Sequence, residues 1–255
     1  MMLPHPPTAG RWPMQVLVLG YSGLLSSVAG FVNAVALLVL AFPVGNLTGI
    51  TTQLGIDTAN PWRYEGHVLA AILLGFLAGT ATTGAILAGA RAHTGPRHAA
   101  VLLTEAVLLL LAAIGVEETA VQAQLTAIGF ERTVVQAGLA AAALGLQNGL
   151  TSSFHGMAIR TTHFTGTVTD LGLMLGRSHR HGIDKAKAAV LTVTLLLFLV
   201  GGVAGLLTGI RLGGYALIIP AAVCVTVAAA SMLHDRTRRT SVGLTAPEPT
   251  QILSR

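Results

Sequence analysis

From Trp12 to Ile56 the chain carries no Asp, Glu, Lys or Arg. A transmembrane helix needs about 20 mostly apolar residues, and a barrel strand about 10. This run is continuous rather than alternating, so it predicts helix, and it is too long for one span. Its second part holds Pro43, Gly45, Asn46, Thr48, Gly49, Thr51, Thr52 and Gln53. Those residues are too polar to face hydrocarbon, where an unsatisfied polar group is costly. The run therefore reads as a first span, about residues 14–42, followed by a broken or re-entrant segment, about 44–55.

The rest of the chain keeps to this pattern. Charged residues make up 10% of the 255, against about 25% in a soluble domain. Mean hydropathy is +0.71. An ordinary soluble enzyme, a disordered chain and a disulfide scaffold are all excluded. The single cysteine, Cys224, lies in an apolar run and reads as a small buried hydrophobe. A second span is bounded by Glu65 and Arg91, and a third, about 98–116, contains Glu105. A fourth covers about 133–155. A second polar, Gly-containing segment follows at about 160–175. The fifth span lies between Lys187 and Arg211, and the sixth between Arg211 and Asp235.

The expected fold is an all-α membrane protein with six transmembrane helices. One membrane domain covers 14–235, with disordered tails at 1–13 and 236–255. Twelve of the fifteen Lys and Arg fall on the side of the N-terminus; Arg63, Arg132 and Arg211 fall on the other. Positive residues stay inside, so both termini are expected in the cytoplasm. The charges lie between apolar runs rather than on a soluble face, which argues against nucleic acid as a partner.

Two segments of the chain resemble each other. Gly30-Phe31-Val32-Asn33 aligns with Gly145-Leu146-Gln147-Asn148. With a two-residue insertion, the stretch from Asn46 to Gly55 aligns with that from His163 to Gly172. Gly30, Asn33, Thr48, Gly49, Thr52, Leu54 and Gly55 recur as identities. Each copy follows the first span of a three-span unit, about 14–116 and 133–235. The next span carries glycine at small-xxx-small spacing, Gly75/Gly79 in one unit and Gly201/Gly205/Gly209 in the other. Three is odd, so the second unit enters the membrane from the opposite side. A 3+3 inverted repeat with Gly-interrupted segments at matching positions marks many secondary transporters and points to the binding site. The bland alternative is a set of packing motifs in a duplicated fold.

The Ala29-Gly30-Phe31-Val32-Asn33 and Asn46-Leu47-Thr48-Gly49 motifs also resemble the YoaK-type family of bacterial inner-membrane proteins. So do Leu144-Gly145-Leu146-Gln147-Asn148-Gly149 and Arg160-Thr161-Thr162-His163-Phe164-Thr165-Gly166-Thr167. The resemblance spans about residues 15–235. It implies six spans in a bacterial cytoplasmic membrane and no established activity. In that family the first copy usually has an acid where Asn33 stands, and His-Met-Thr-Gly-Asn at the positions of Asn46–Ile50.

Candidate chemistry collects in the repeated segments. Asn33, Asn46, Thr48, Gly49, Thr52 and Gln53 form the first set of candidate solute-binding residues. Gln147, Asn148, Arg160, Thr162, His163, Thr165, Gly166 and Thr169 form the second. Helix N-termini in broken spans offer free N–H groups to anions, and unwound carbonyls hold cations. Asp170, Glu105 and His163 are the candidate ion-coupling groups, with Asp170 preferred because it belongs to a Thr-Gly segment. Glu105 sits among leucines, where a carboxylate costs about 2.5–3.5 kcal/mol on insertion scales. His179, His181 and Asp184, in an expected loop over 177–187, lie beside Arg and Lys, which disfavours a bound metal.

No phosphate loop, nucleophile elbow, HExxH or CxxC stands out, so neither a cofactor nor a catalytic residue is expected. The leading expectation is a secondary transporter or permease for a small polar or ionic solute. Its partners are the lipid bilayer and that solute or ion, with a homodimer left open. The alternatives are a non-transporting scaffold or sensor and, least of all, an intramembrane enzyme.

Overall fold

The computed structural model describes residues 11–60, 65–89, 95–129, 131–153 and 161–244. Among them every regular element is helical. In chain order these are α1 (Arg11–Leu40), α2 (Leu47–Ala59), α3 (Gly66–Leu87), α4 (Pro96–Glu117) and α5 (Thr119–Ala127). They continue with α6 (Arg132–Ser152), α7 (Phe164–His181), α8 (Lys185–Leu212), a 3-10 turn (Gly213–Leu217) and α9 (Ile218–Leu244).

Four described stretches are long and apolar enough to cross a membrane: Leu19–Leu40, Gly66–Leu87, Pro96–Gly115 and Lys185–Thr237. The last contains both α8 and most of α9. Helix α6 fills the place of the expected fourth span but is less apolar. It is rich in alanine and buries Gln136, Gln147, Asn148 and Thr151. It lies inside the bundle against α3, α4 and α1, so its polar groups do not meet lipid. The bundle's outer face is the apolar one: Leu77, Val107, Leu199, Val203 and Leu207 are all exposed. An apolar surface this extensive is unstable in water, which marks the chain as a multi-pass membrane protein.

Two helix pairs hold the bundle together, α1 with α8 and α3 with α6. Each seats glycines against a neighbouring backbone. A Cβ on Gly30 would fall on the carbonyl of Phe198, and one on Gly201 on the carbonyl of Ser27. In the other pair, Gly145 faces the Phe76 carbonyl and Gly79 the Ala142 carbonyl. Thr80 Oγ1 of α3 donates to the Gly145 carbonyl at 3.1 Å, and Thr83 Oγ1 to that of Leu146 at 2.9 Å. Between apolar helices in lipid, association depends on this kind of close van der Waals contact and hydrogen bonding.

Several expected boundaries move. The first span ends at Leu40, where Ala41 takes a left-handed φ of 65° and Pro43 cannot continue the helix. The expected loop over 177–187 is partly helix, because α7 runs to His181; Asp184 caps α8 by accepting from Ala186 and Lys187 N–H, both at 3.1 Å. Among the described residues no group of metal ligands assembles there. The acid-rich stretch after α4 contains the short helix α5. Helix α9 continues to Leu244, past the expected start of the C-terminal tail at 236, through charged and polar residues that helices accept in water. Residues 1–10 and 245–255 lie outside the described residues.

Candidate functional site: a cavity between two interrupted segments

After α1 ends, the chain turns back along it. The Asn33 side chain, two turns before that end, accepts the Gly45 N–H at 2.8 Å. This bond satisfies a backbone donor freed by the break and starts α2 level with the interior of α1. Asn46 caps α2, its Oδ1 accepting from Gly49 N–H at 3.2 Å. The side chain folds over Gly49, where a Cβ would meet Asn46 Nδ2 at 2.8 Å.

The second segment is built alike. Asn148, on α6, accepts from Thr162 Oγ1 at 3.3 Å and donates to the Leu144 carbonyl at 2.9 Å. His163 stands at the N-cap of α7 with its side chain lying over Gly166, although it makes no capping bond. In both segments glycine three residues after the cap leaves room for the capping side chain. Helix α2 packs on α3, and α7 packs on α8, with the Phe164 and Phe198 rings 4.4 Å apart.

The two segments meet at one cavity of about 350 Å³. The first turn of α2 contributes Asn46, Leu47 and Thr48; the first turn of α7 contributes Phe164 and Thr165, next to Thr162 and His163. Asn148, Gly149 and Ser152 of α6 and Phe76 and Thr80 of α3 complete the wall. Two helix N-termini thus open on the same space. Each carries unpaired N–H groups and roughly half a positive charge, screened where water enters.

The cavity therefore unites Asn46, Thr48, Asn148, Thr162, His163 and Thr165. Asn33, Gly49 and Gly166 shape its edges through the contacts just described. The remaining candidates lie elsewhere. Thr52 donates to the Thr48 carbonyl at 2.9 Å and lines a shallow surface groove with Thr51 and Leu73. Thr169 likewise bonds the Thr165 carbonyl, at 2.8 Å. Gln53 donates to Asp57 at 3.0 Å along its own helix. Gln147 donates to the Leu25 carbonyl, tying α6 to α1. Arg160 lies outside the described residues.

Asp170 lies away from the cavity, in an ion pair with Lys187, 2.8 Å apart and nearly half exposed. Seven residues past the cap, it stands two turns down α7, away from the N-terminal turn that meets the cavity. Glu105 is also remote from the cavity but is fully buried. Phe76, Thr80, Gly149 and Ser152 were not expected at the site. No single-residue signal marked them: Phe76 and Thr80 are one turn apart on α3, and Ser152 one turn beyond Asn148 on α6.

Fold and site together define a helical multi-pass membrane protein with a polar cavity at the N-termini of α2 and α7. The chain belongs to the family described as protein of unknown function (DUF1275), which it matches over residues 22–230. This is consistent with the YoaK-type resemblance of the Asn and Thr-Gly motifs. No curated protein and no solved structure matches the chain.

Proposed function

We propose that the chain is a bacterial inner-membrane transporter, with both termini cytoplasmic, that passes a small polar or anionic solute through the cavity between α2 and α7. The single observation that carries this reading is the convergence of two interrupted helices on one space. Lipid-exposed polar backbone is excluded from a bilayer, and interrupted helices are tolerated where they line a cavity or are buried in protein. Paired positive helix ends disfavour a cation and favour an anion or an uncharged polar group.

Six spans in a 3+3 inverted repeat belong to the same proposal. One offset along the chain relates Gly30 to Gly145 and Ser27 to Ala142. A second relates Phe76 to Phe198 and Gly79 to Gly201. The observed contacts respect both offsets: Gly30 meets Phe198 as Gly145 meets Phe76, and Gly201 meets Ser27 as Gly79 meets Ala142. The second offset also aligns Ala99–Ala106 with Ala221–Ala228, where Ala99, Ala100, Val101, Thr104 and Ala106 recur. Alternating access between two such halves is a common transporter design.

Flux into proteoliposomes tests the reading. Stopped-flow light scattering would follow swelling in gradients of glycerol, glycine, potassium acetate and potassium lactate. At least one probe should enter severalfold faster than into protein-free vesicles. The double variant Thr48→Leu/Thr165→Leu, which fills the cavity from both helix ends, should remove that excess. No acceleration for any probe, or acceleration that survives the filled cavity, would favour the scaffold or sensor reading.

A further inference from the structure

We propose that Glu105 is a proton-binding site inside the bundle, and that it rather than Asp170 carries the proton coupled to solute movement. Glu105 has no exposed surface. Neither carboxyl oxygen makes a well-formed hydrogen bond among the described residues, the Cys224 thiol beside it being a weak donor. Its neighbours along α4, Val101, Leu102, Ala106 and Leu109, are buried and apolar. An ionised carboxylate in that position would be shut away from water with no counter-ion and only weak donors beside it among the described residues, and such a group takes up a proton instead.

The groups that face it fit a proton better than a metal ion. They are the Cys224 thiol of α9 and the Tyr21 phenol of α1. Helix α6, packed on α4, carries one titratable residue, Arg132, at its start. The 3-10 turn contributes only Tyr215, whose hydroxyl donates to Glu118 at 2.5 Å. From α3 comes His67, which is paired at 2.5 Å with Glu131. On α4 itself the other charged groups, Arg97, His98 and Glu117, sit at the ends. Among the described residues no group of metal ligands forms around it; the acid of α9, Asp235, lies by Gly95 just before α4, with His234 and Arg236 next to it in sequence.

The acid is not repeated in the other half. The matching position on α9 is Val227, in the matched run Ala221–Ala228, and it packs partly buried against the core. Glu105 therefore adds a group able to change charge that the other half lacks at this register. Buried ionisable residues in membrane helices are functional candidates by default.

The test uses the full-length protein in lipid nanodiscs and dicyclohexylcarbodiimide, an apolar reagent for protonated carboxyl groups. Mass spectrometry should place the adduct on Glu105, with labelling that declines as pH rises. It should vanish in Glu105→Gln and in Glu105→Val, which copies the other half, and persist in Asp170→Asn. An unlabelled Glu105 across the pH range, or labelling confined to Asp170, overturns the proton site. The coupling clause rests on the transport reading and has a separate readout. For a probe that moves in the flux assay, Glu105→Gln should keep downhill entry and lose accumulation driven by a pH gradient. Undiminished pH-driven accumulation overturns coupling through Glu105. If no probe moves at all, the transport reading fails, coupling falls with it, and the labelling result still decides the proton site.

Discussion

The two halves of the chain, α1–α4 and α6–α9, agree where they build the cavity and differ where they carry charge. Each has an Asn on its first long helix bonded to the start of the interrupted segment, Asn33 to Gly45 and Asn148 to Thr162. Each sets a glycine under the capping side chain and threads glycines against the partner half. The differences are specific. The cap is Asn46 in one half and His163 in the other; Gln53 stands where Asp170 does; Glu105 stands where Val227 does. The packing differs as well: α4 lies along α6, whereas α9 meets α1 only briefly. The shared parts thus preserve geometry, and the unshared parts supply titratable groups and a difference in closure. Under the inverted-repeat proposal, exchanging these two contacts between the halves would give the other access state.

The largest effect should come from the shared glycines. Gly30→Val and Gly145→Val each drive a side chain into a facing backbone carbonyl, where nothing flexible yields. Overpacking costs about 1–3 kcal/mol and sometimes more, so both variants should lose most folded protein, read as the monodisperse fraction in size-exclusion chromatography. Gly55→Ala, with nothing within 4 Å of its added Cβ, should behave as wild type. Collapse of one half's variant with tolerance of the other would break the equivalence.

The asparagines come next. Asn33→Ala orphans the Gly45 N–H, and leaving a buried donor unsatisfied costs about 1–3 kcal/mol. Asn148→Ala removes a longer bond, 3.3 Å, from a Thr hydroxyl that can rotate to another acceptor. Thermal unfolding should therefore drop more for Asn33→Ala than for Asn148→Ala. Equal drops would show that the second segment relies on its Asn as heavily as the first.

Orientation can be checked without disturbing either half. With Cys224 replaced by Ala, Thr119→Cys and Ile183→Cys place single exposed thiols at opposite ends of the bundle. An impermeant maleimide applied to whole cells should label Thr119→Cys alone. The reverse pattern would invert the proposed topology and leave the cavity argument standing.

Much of this was legible in the sequence because lipid imposes blunt rules. A charge-free run must be helical, and polar residues inside it must be covered, which is why α1 stops at Leu40 before the Thr-rich start of α2. Asn33 was readable for the same reason, since the freed Gly45 donor needs an acceptor nearby; Asn148 sits at the matching place but accepts from the Thr162 hydroxyl instead of freed backbone. Phe76, Thr80 and Ser152 were not readable, since they lie in otherwise ordinary helices and reach the cavity only through the close approach of α3 to α6. Asp170 lies one turn beyond Gly166 and two turns beyond the cap, far enough down α7 to pair with Lys187 rather than line the cavity. The polarity of α6 lowers its hydropathy because its neighbours, not lipid, surround it.

The smallest effect should come from that Asp170–Lys187 pair, and it sharpens the comparison most directly. In the first half the matching residue, Gln53, bonds Asp57 within its own helix. In the second, Asp170 reaches across to the first turn of α8. The pair is nearly half exposed on both sides, and exposed ion pairs contribute about 0–1 kcal/mol and weaken with salt. Asp170→Asn keeps the side chain's shape and one acceptor for the Lys187 ammonium. Thermal unfolding should therefore shift little at low salt and not at all at high salt, with solute entry unchanged. Asp170→Gln lengthens the side chain towards that of Gln53 and should be equally mild. If Asp170→Asn instead abolished pH-driven accumulation while Glu105→Gln did not, the division drawn between the halves would reverse, and the exposed pair on α7 would be the coupling element.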